Sequence, residues 1–202
     1  MNTMRPRVHH ATVHVLLTVA GLAGIAGMFL PFTSNTSPVD VLDDDMWGLW
    51  PLALPFFLAV PAFAASMRWI ISGSLSRLER VVAYVVSGAS ACATLYFVVV
   101  MLADSTGPER IQGWLVMTVP VAILLAGAYV LRRTARDARS RDFSPVLAIQ
   151  VAFLANAVLC LIGFFGHWQV GAHCALVTAL AYLVQIILIR TRPGSPGGAP
   201  AQ

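Results

Sequence analysis

VVAYVVSGASACATLYFVVVML, residues 81–102, contains no charged side chain in 22 residues. A helix of that length measures about 33 Å, enough to cross the roughly 30 Å hydrocarbon core of a bilayer. The two flanks of the stretch differ. Arg77 and Arg80 precede it, whereas Asp104 and Glu109 follow it. Short loops rich in Lys and Arg are held on the cytoplasmic side of a membrane, so this asymmetry gives the segment a direction as well as a length.

The same pattern repeats along the chain. All 13 basic residues are arginine. They occur before the first of six apolar runs (Arg5, Arg7), after the second (Arg68, Arg77, Arg80), after the fourth (Arg132, Arg133, Arg136, Arg139, Arg141) and after the sixth (Arg190, Arg192). Only Arg110 lies in one of the other gaps. The chain is therefore expected to be all-α, a polytopic six-helix transmembrane bundle with its N-terminus and C-terminus cytoplasmic. The helices are expected at about residues 12–32, 49–71, 81–102, 111–131, 145–166 and 170–189. Residues 1–11 would form a cytoplasmic N-terminal segment. The tail 190–202 ends in RPGSPGGAPAQ, too rich in Pro and Gly to pack, and is expected to be disordered. The first run resembles a secretory signal in its preceding arginines, but it is longer than the ~7–15 apolar residues of such a signal, so it is read as a retained helix.

Composition agrees. The chain is 58% hydrophobic and 11% charged, with a mean hydropathy of +0.77, far from the roughly 25% charged residues of soluble domains. Six spans use nearly all of the 202 residues, which leaves no room among them for a second globular domain. The net charge of +4 comes from arginines placed by topology, so it points to a membrane surface and not to nucleic acid. Acidic residues gather in the other gaps, at Asp40, Asp43, Asp44 and Asp45 and at Asp104 and Glu109. Trp47, Trp50, Trp114 and Trp168 are expected at the outer interface and Trp69 at the inner one, where indole prefers to sit.

Small residues at Ala20 and Gly24, and at Ala23 and Gly27, are spaced to admit a neighbouring backbone. Pro61 falls near the middle of the second span and is expected to kink it. Polar residues inside the spans should face protein, since hydrocarbon offers them no partner. Ser87, Ser90 and Thr94 recur at helical spacing, Asn156 lies halfway along the fifth span, and Thr178 and Gln185 share a face of the sixth. Together they suggest a polar seam with Asn156 at its centre, serving interhelical hydrogen bonding or, alternatively, a substrate pathway through Asn156, Ser87, Ser90, Thr94 and Gln185.

Chemistry is sparsely signalled. No Asp, Glu or Lys interrupts any run, which disfavours an ion-coupled pump and an intramembrane acid–base enzyme. No G-x-S-x-G, H-E-x-x-H, Walker or C-x-x-C motif is present. Cys92 is expected to pack as a small apolar residue, and a bridge between Cys160 and Cys174 is conceivable at their similar depths. The outer rim gathers His167, His173 and Cys174 near the aspartate run and Met28, Met46, Met101 and Met117, a donor set suited to a soft metal but without any recognised ligand spacing. His10 and His14 stand four apart if the first helix extends inward, with His9 beside them. Arg132, Arg133, Arg136, Arg139 and Arg141 are expected to meet anionic lipid or a cytoplasmic partner.

From sequence, the expected role is a non-enzymatic accessory or scaffold component of a membrane complex, without a cofactor. A membrane-protein partner or a second copy would associate through its helices. The alternatives are a small-solute transporter or channel and, more weakly, a metal-binding protein. Arg-only basicity with abundant Ala, Gly and Pro fits GC-rich coding and a bacterial inner (plasma) membrane.

Overall fold

The computed structural model describes residues 5–31, 37–43, 50–104, 110–136, 143–163 and 169–190. The described residues are helical almost throughout. Six long helices, α1 (Arg5–Phe29), α3 (Trp50–Ser72), α4 (Arg77–Asp104), α5 (Arg110–Arg136), α6 (Ser144–Gly163) and α7 (Val170–Arg190), are joined by one short helix, α2 (Asp40–Asp43). Five of the long helices are long and apolar enough to cross a membrane, and the chain is a membrane protein. Among the described residues the first shows a shorter apolar stretch, Val15–Phe29, where a span takes about 20 residues.

Several helices run past the apolar segments that define them. α1 begins at Arg5, seven residues before the expected start at 12, and α5 continues through Arg136, five residues beyond the expected end at 131. Arginine is a good helix former, and cations in the last turn of α5, Arg133 and Arg136, oppose the negative end of the helix dipole. The helix therefore does not stop where the oil does. α3 is continuous through Pro55 and Pro61.

Local sequence explains the sharpest boundary. Gly73, at φ +72°, closes α3 in a left-handed conformation and its N–H donates to the Trp69 carbonyl at 2.8 Å. Three residues on, Ser76 and Glu79 form a reciprocal cap on α4. The Ser76 N–H donates to Glu79 Oε2 at 2.6 Å and the Glu79 N–H to Ser76 Oγ at 3.3 Å. The same device opens α2, where the Ser37 N–H donates to Asp40 Oδ2 at 2.7 Å and the Asp40 N–H to Ser37 Oγ at 3.3 Å. Hydrogen bonds from Ser37, its hydroxyl first and its backbone N–H second, hold the Asp40 carboxyl below the usual carboxylate range. That cap is complete above the carboxyl's unfolded pKa and is lost as pH falls through the folded value.

Packing is organised around α6, which touches α3, α4, α5 and α7. Its candidate span is 78% buried, against 17% for α4 and 22% for α5. α6 is thus the axis of the bundle and α4 and α5 lie at its edge, with Val85, Tyr96, Leu125 and Tyr129 all exposed. Such faces would be a liability in water and are ordinary against lipid. α1 packs on α7 and α3. The Gly171 N–H donates to the Pro31 carbonyl at 2.8 Å and ties the end of α1 to the start of α7.

Small residues make these approaches possible. A Cβ at Gly24 would stand 2.5 Å from the Ala59 Cβ, and one at Gly27 would stand 2.9 Å from the Phe56 ring. By contrast, a Cβ at Gly88 would meet nothing within 4 Å. Gly24→Leu should therefore cost about 1–3 kcal/mol in unfolding titrations in detergent, the usual penalty of overpacking. Gly88→Ala should be neutral or slightly stabilising in the same measurement.

Candidate functional site

α6 carries two buried polar centres. Hydrocarbon offers an amide side chain no partner, so on this axis what the helix's own backbone leaves unsatisfied must be met by a neighbouring helix. Asn156 faces α4. Its Nδ2 donates to Ser90 Oγ at 2.7 Å and to the Ala152 carbonyl at 2.8 Å, and its Oδ1 accepts from Thr94 Oγ1 at 2.9 Å. Ser90 and Thr94 lie one turn apart on α4, and Thr94 Oγ1 also reaches the Ser90 carbonyl at 2.9 Å. Asn156 and Thr94 are fully buried, and Ser90 nearly so.

The second centre lies six residues earlier. Gln150 Nε2 donates to Ser66 Oγ on α3 and to Gln185 Oε1 on α7, both at 2.9 Å. Ser66 Oγ in turn donates to the Ala62 carbonyl at 2.7 Å. Six residues along a helix is a rotation of about 240°, so the two centres face different neighbours. They differ in satisfaction too. Gln150 Oε1 and Gln185 Nε2 are buried without a hydrogen-bond partner, and a buried group left unsatisfied costs about 1–3 kcal/mol.

The residues expected to form one seam are therefore distributed over several places. Asn156, Ser90 and Thr94 are brought together. Ser87 is buried but donates to the Ala83 carbonyl of its own helix at 2.5 Å. Gln185 sits with Gln150 and Ser66. Thr178 Oγ1 reaches the Ala20 carbonyl of α1 at 3.2 Å and the Cys174 carbonyl at 2.9 Å. Sequence reasoning passed over Gln150 and Ser66. Gln150 was visible as an amide within an apolar run, whereas Ser66 resembles any small helix residue until its partner is known.

The groups expected at the outer rim are less assembled. His173 is exposed, and its Nδ1 lies 2.9 Å from the Gln169 carbonyl. Cys174 is half-buried and packs near Gly27, and Cys92, Cys160 and Cys174 are free thiols. His167, Asp44, Asp45 and Met46 lie outside the described residues. Among the described residues no group of three His, Cys, Asp or Glu side chains comes together to hold a metal ion. Met28 and Met117 pack in the apolar cluster of Phe56 and Leu159. His10 and His14 both fall within α1, four residues apart, with side chains outside the described set.

A hollow of about 240 Å³ opens between α4 and α5, with α6 as its floor. Tyr84, Gly88 and Ala91 line one wall, Leu124 and Ala128 the other, and Ala152 lies beneath. The lining is apolar apart from Ser87 and Tyr84, and the Tyr84 hydroxyl is hydrogen-bonded to Ser144 Oγ at 2.5 Å. Arg132, Arg133 and Arg136 are exposed at the end of α5, while Arg139 and Arg141 lie outside the described residues.

Comparison with known protein families, with curated proteins and with solved structures finds no match for this chain.

The contrast between the two polar centres is measurable. Asn156→Leu should destabilise the bundle by about 0.6–1.7 kcal/mol, the range of interhelical hydrogen bonds in membranes. The double variant Gln150→Met/Gln185→Met removes both halves of an incompletely satisfied pair and should be neutral or stabilising. Unfolding titrations in detergent check both.

Proposed function

We propose that this chain is a six-span integral membrane protein whose arginine-rich ends and loops lie in the cytoplasm, and that it serves as a non-catalytic accessory or scaffold component of a membrane complex. α1 supplies the sixth span, its 25 residues reaching roughly 37 Å as a helix. A bacterial inner membrane fits the arginine-only basic set.

The observation that carries the reading is the state of Asn156. An amide at the centre of the bundle is the natural place for a pathway, yet its Oδ1 and Nδ2 are both engaged by Ser90, Thr94 and Ala152. Its polarity serves helix association. The hollow between α4, α5 and α6 is lined by apolar residues apart from Ser87 and Tyr84, so it offers a polar solute little to bond with.

A second reading, small-solute passage, has one specific observation in its favour, the unpartnered Gln150 Oε1 and Gln185 Nε2. A polar solute crossing between α3, α6 and α7 would find hydrogen-bonding groups there.

Gentle extraction followed by native mass spectrometry separates the two. A scaffold should retain a membrane-protein partner or a second copy of the chain, and Asn156→Leu should leave that association intact. Reconstituted vesicles should show no solute flux above protein-free controls. Flux that Gln150→Met abolishes, with no retained protein, would replace the scaffold reading with the second one.

A further inference from the structure

The hollow between α4 and α5 is placed at one depth of the bundle. α4 leaves the arginine-rich side at Arg77 and α5 returns to it at Arg136. The lining runs from Tyr84 and Leu131 at that side to Ala91 and Leu124 further in, over a floor of Ala148, Val151 and Ala152. It therefore occupies the half of the membrane nearest the arginines.

Three features identify what fits it. The first is size: the hollow offers about 240 Å³, many times the roughly 10–15 Å³ that a cavity needs to hold one water. That accommodates a length of hydrocarbon chain and is far too small for a helix about 10–12 Å across. The second is surface. Small residues on three helices, Gly88, Ala91, Ala128 and Ala152 among them, leave a smooth apolar trough, and nothing stands within 4 Å of a Cβ built at Gly88.

The third is charge. Ala128 lines the hollow and Arg132 lies four residues further along α5, hence on the same face one turn closer to the membrane surface. Arg132 and the adjacent Arg133 are exposed. A guanidinium one turn above an apolar trough matches a molecule with an anionic head and a hydrocarbon tail.

We propose that the α4–α5 hollow is a binding site for an anionic phospholipid of the arginine-side leaflet, one acyl chain lying in the trough and the phosphate meeting Arg132. The site stands independently of the scaffold reading, because it requires no protein partner.

The test uses the full chain, delipidated in detergent, and native mass spectrometry with phosphatidylglycerol and phosphatidylcholine of identical acyl chains. The wild type should bind one phosphatidylglycerol in preference to phosphatidylcholine by roughly fivefold or more, the effect of one arginine near an anionic headgroup. Arg132→Gln should bring the two lipids to near equality while binding of the chain persists. Gly88→Phe fills the trough from a position with free space and should abolish the tight site for both lipids. Ala91→Leu fills the same trough and serves where Gly88→Phe unfolds. Val82→Phe, on the far side of α4, should behave as wild type. Equal binding of both lipids by the wild type, or binding that survives both trough-filling variants, would overturn the proposal. So would a photo-crosslinker at residue 91 that captures a protein and not lipid in native membranes.

Discussion

Hydrocarbon gives a polar group nothing to bond with, and the arrangement of this bundle follows from how α6 meets that constraint. Gln150 and Asn156 sit on one helix, and each draws side-chain partners from other helices. α4 supplies Ser90 and Thr94 to one, and α3 and α7 supply Ser66 and Gln185 to the other. With amides about 120° apart around the helix and bonded to different neighbours, α6 is drawn against α3, α4 and α7 together. It becomes the axis, while α4, whose buried Ser87, Ser90 and Thr94 share one face, and α5 take the periphery.

Close approach does the rest. Lipid tails are as apolar as leucine, so helix association in a membrane draws on packing and hydrogen bonds. Gly24 against Ala59 and Gly27 against Phe56 bring α1 onto α3, and Gly127 lets α5 close onto Val151 of α6. The Phe153 and Tyr182 rings meet edge to face at 5.3 Å between α6 and α7. Where the small residues instead face outward, at Gly88 and Ala91, the helices leave a trough.

Much of this was legible beforehand. Charge-free runs located the helices because a span must be long and apolar, and the small pairs in the first helix announced its packing face. Ser90 and Thr94 one turn apart signalled a polar face, and Asn156 signalled a buried amide. Their meeting follows the expected seam, but the departure of Gln185 from it to pair with Gln150 was not legible, because in a membrane every helix is apolar on all sides and periodicity no longer tells inside from outside. The central position of α6 was hidden for the same reason. The extra turns of α1 and α5 were missed because apolarity marks the oil, not the end of the helix. The cap on α2 was written in Ser37 and Asp40, three residues apart, but in a loop read only for its charge.

A phospholipid carrying a photoreactive group in its acyl chain, activated in vesicles containing the wild-type protein, tests the central position of α6 without altering a residue. Labelling should concentrate on outward residues of α4 and α5, among them Val85, Tyr96, Leu125 and Tyr129, and any label on α6 should be confined to residues 148–152. Labelling of residues 155–161 as heavily as the outer face of α4 would show that α6 meets lipid and is not the axis.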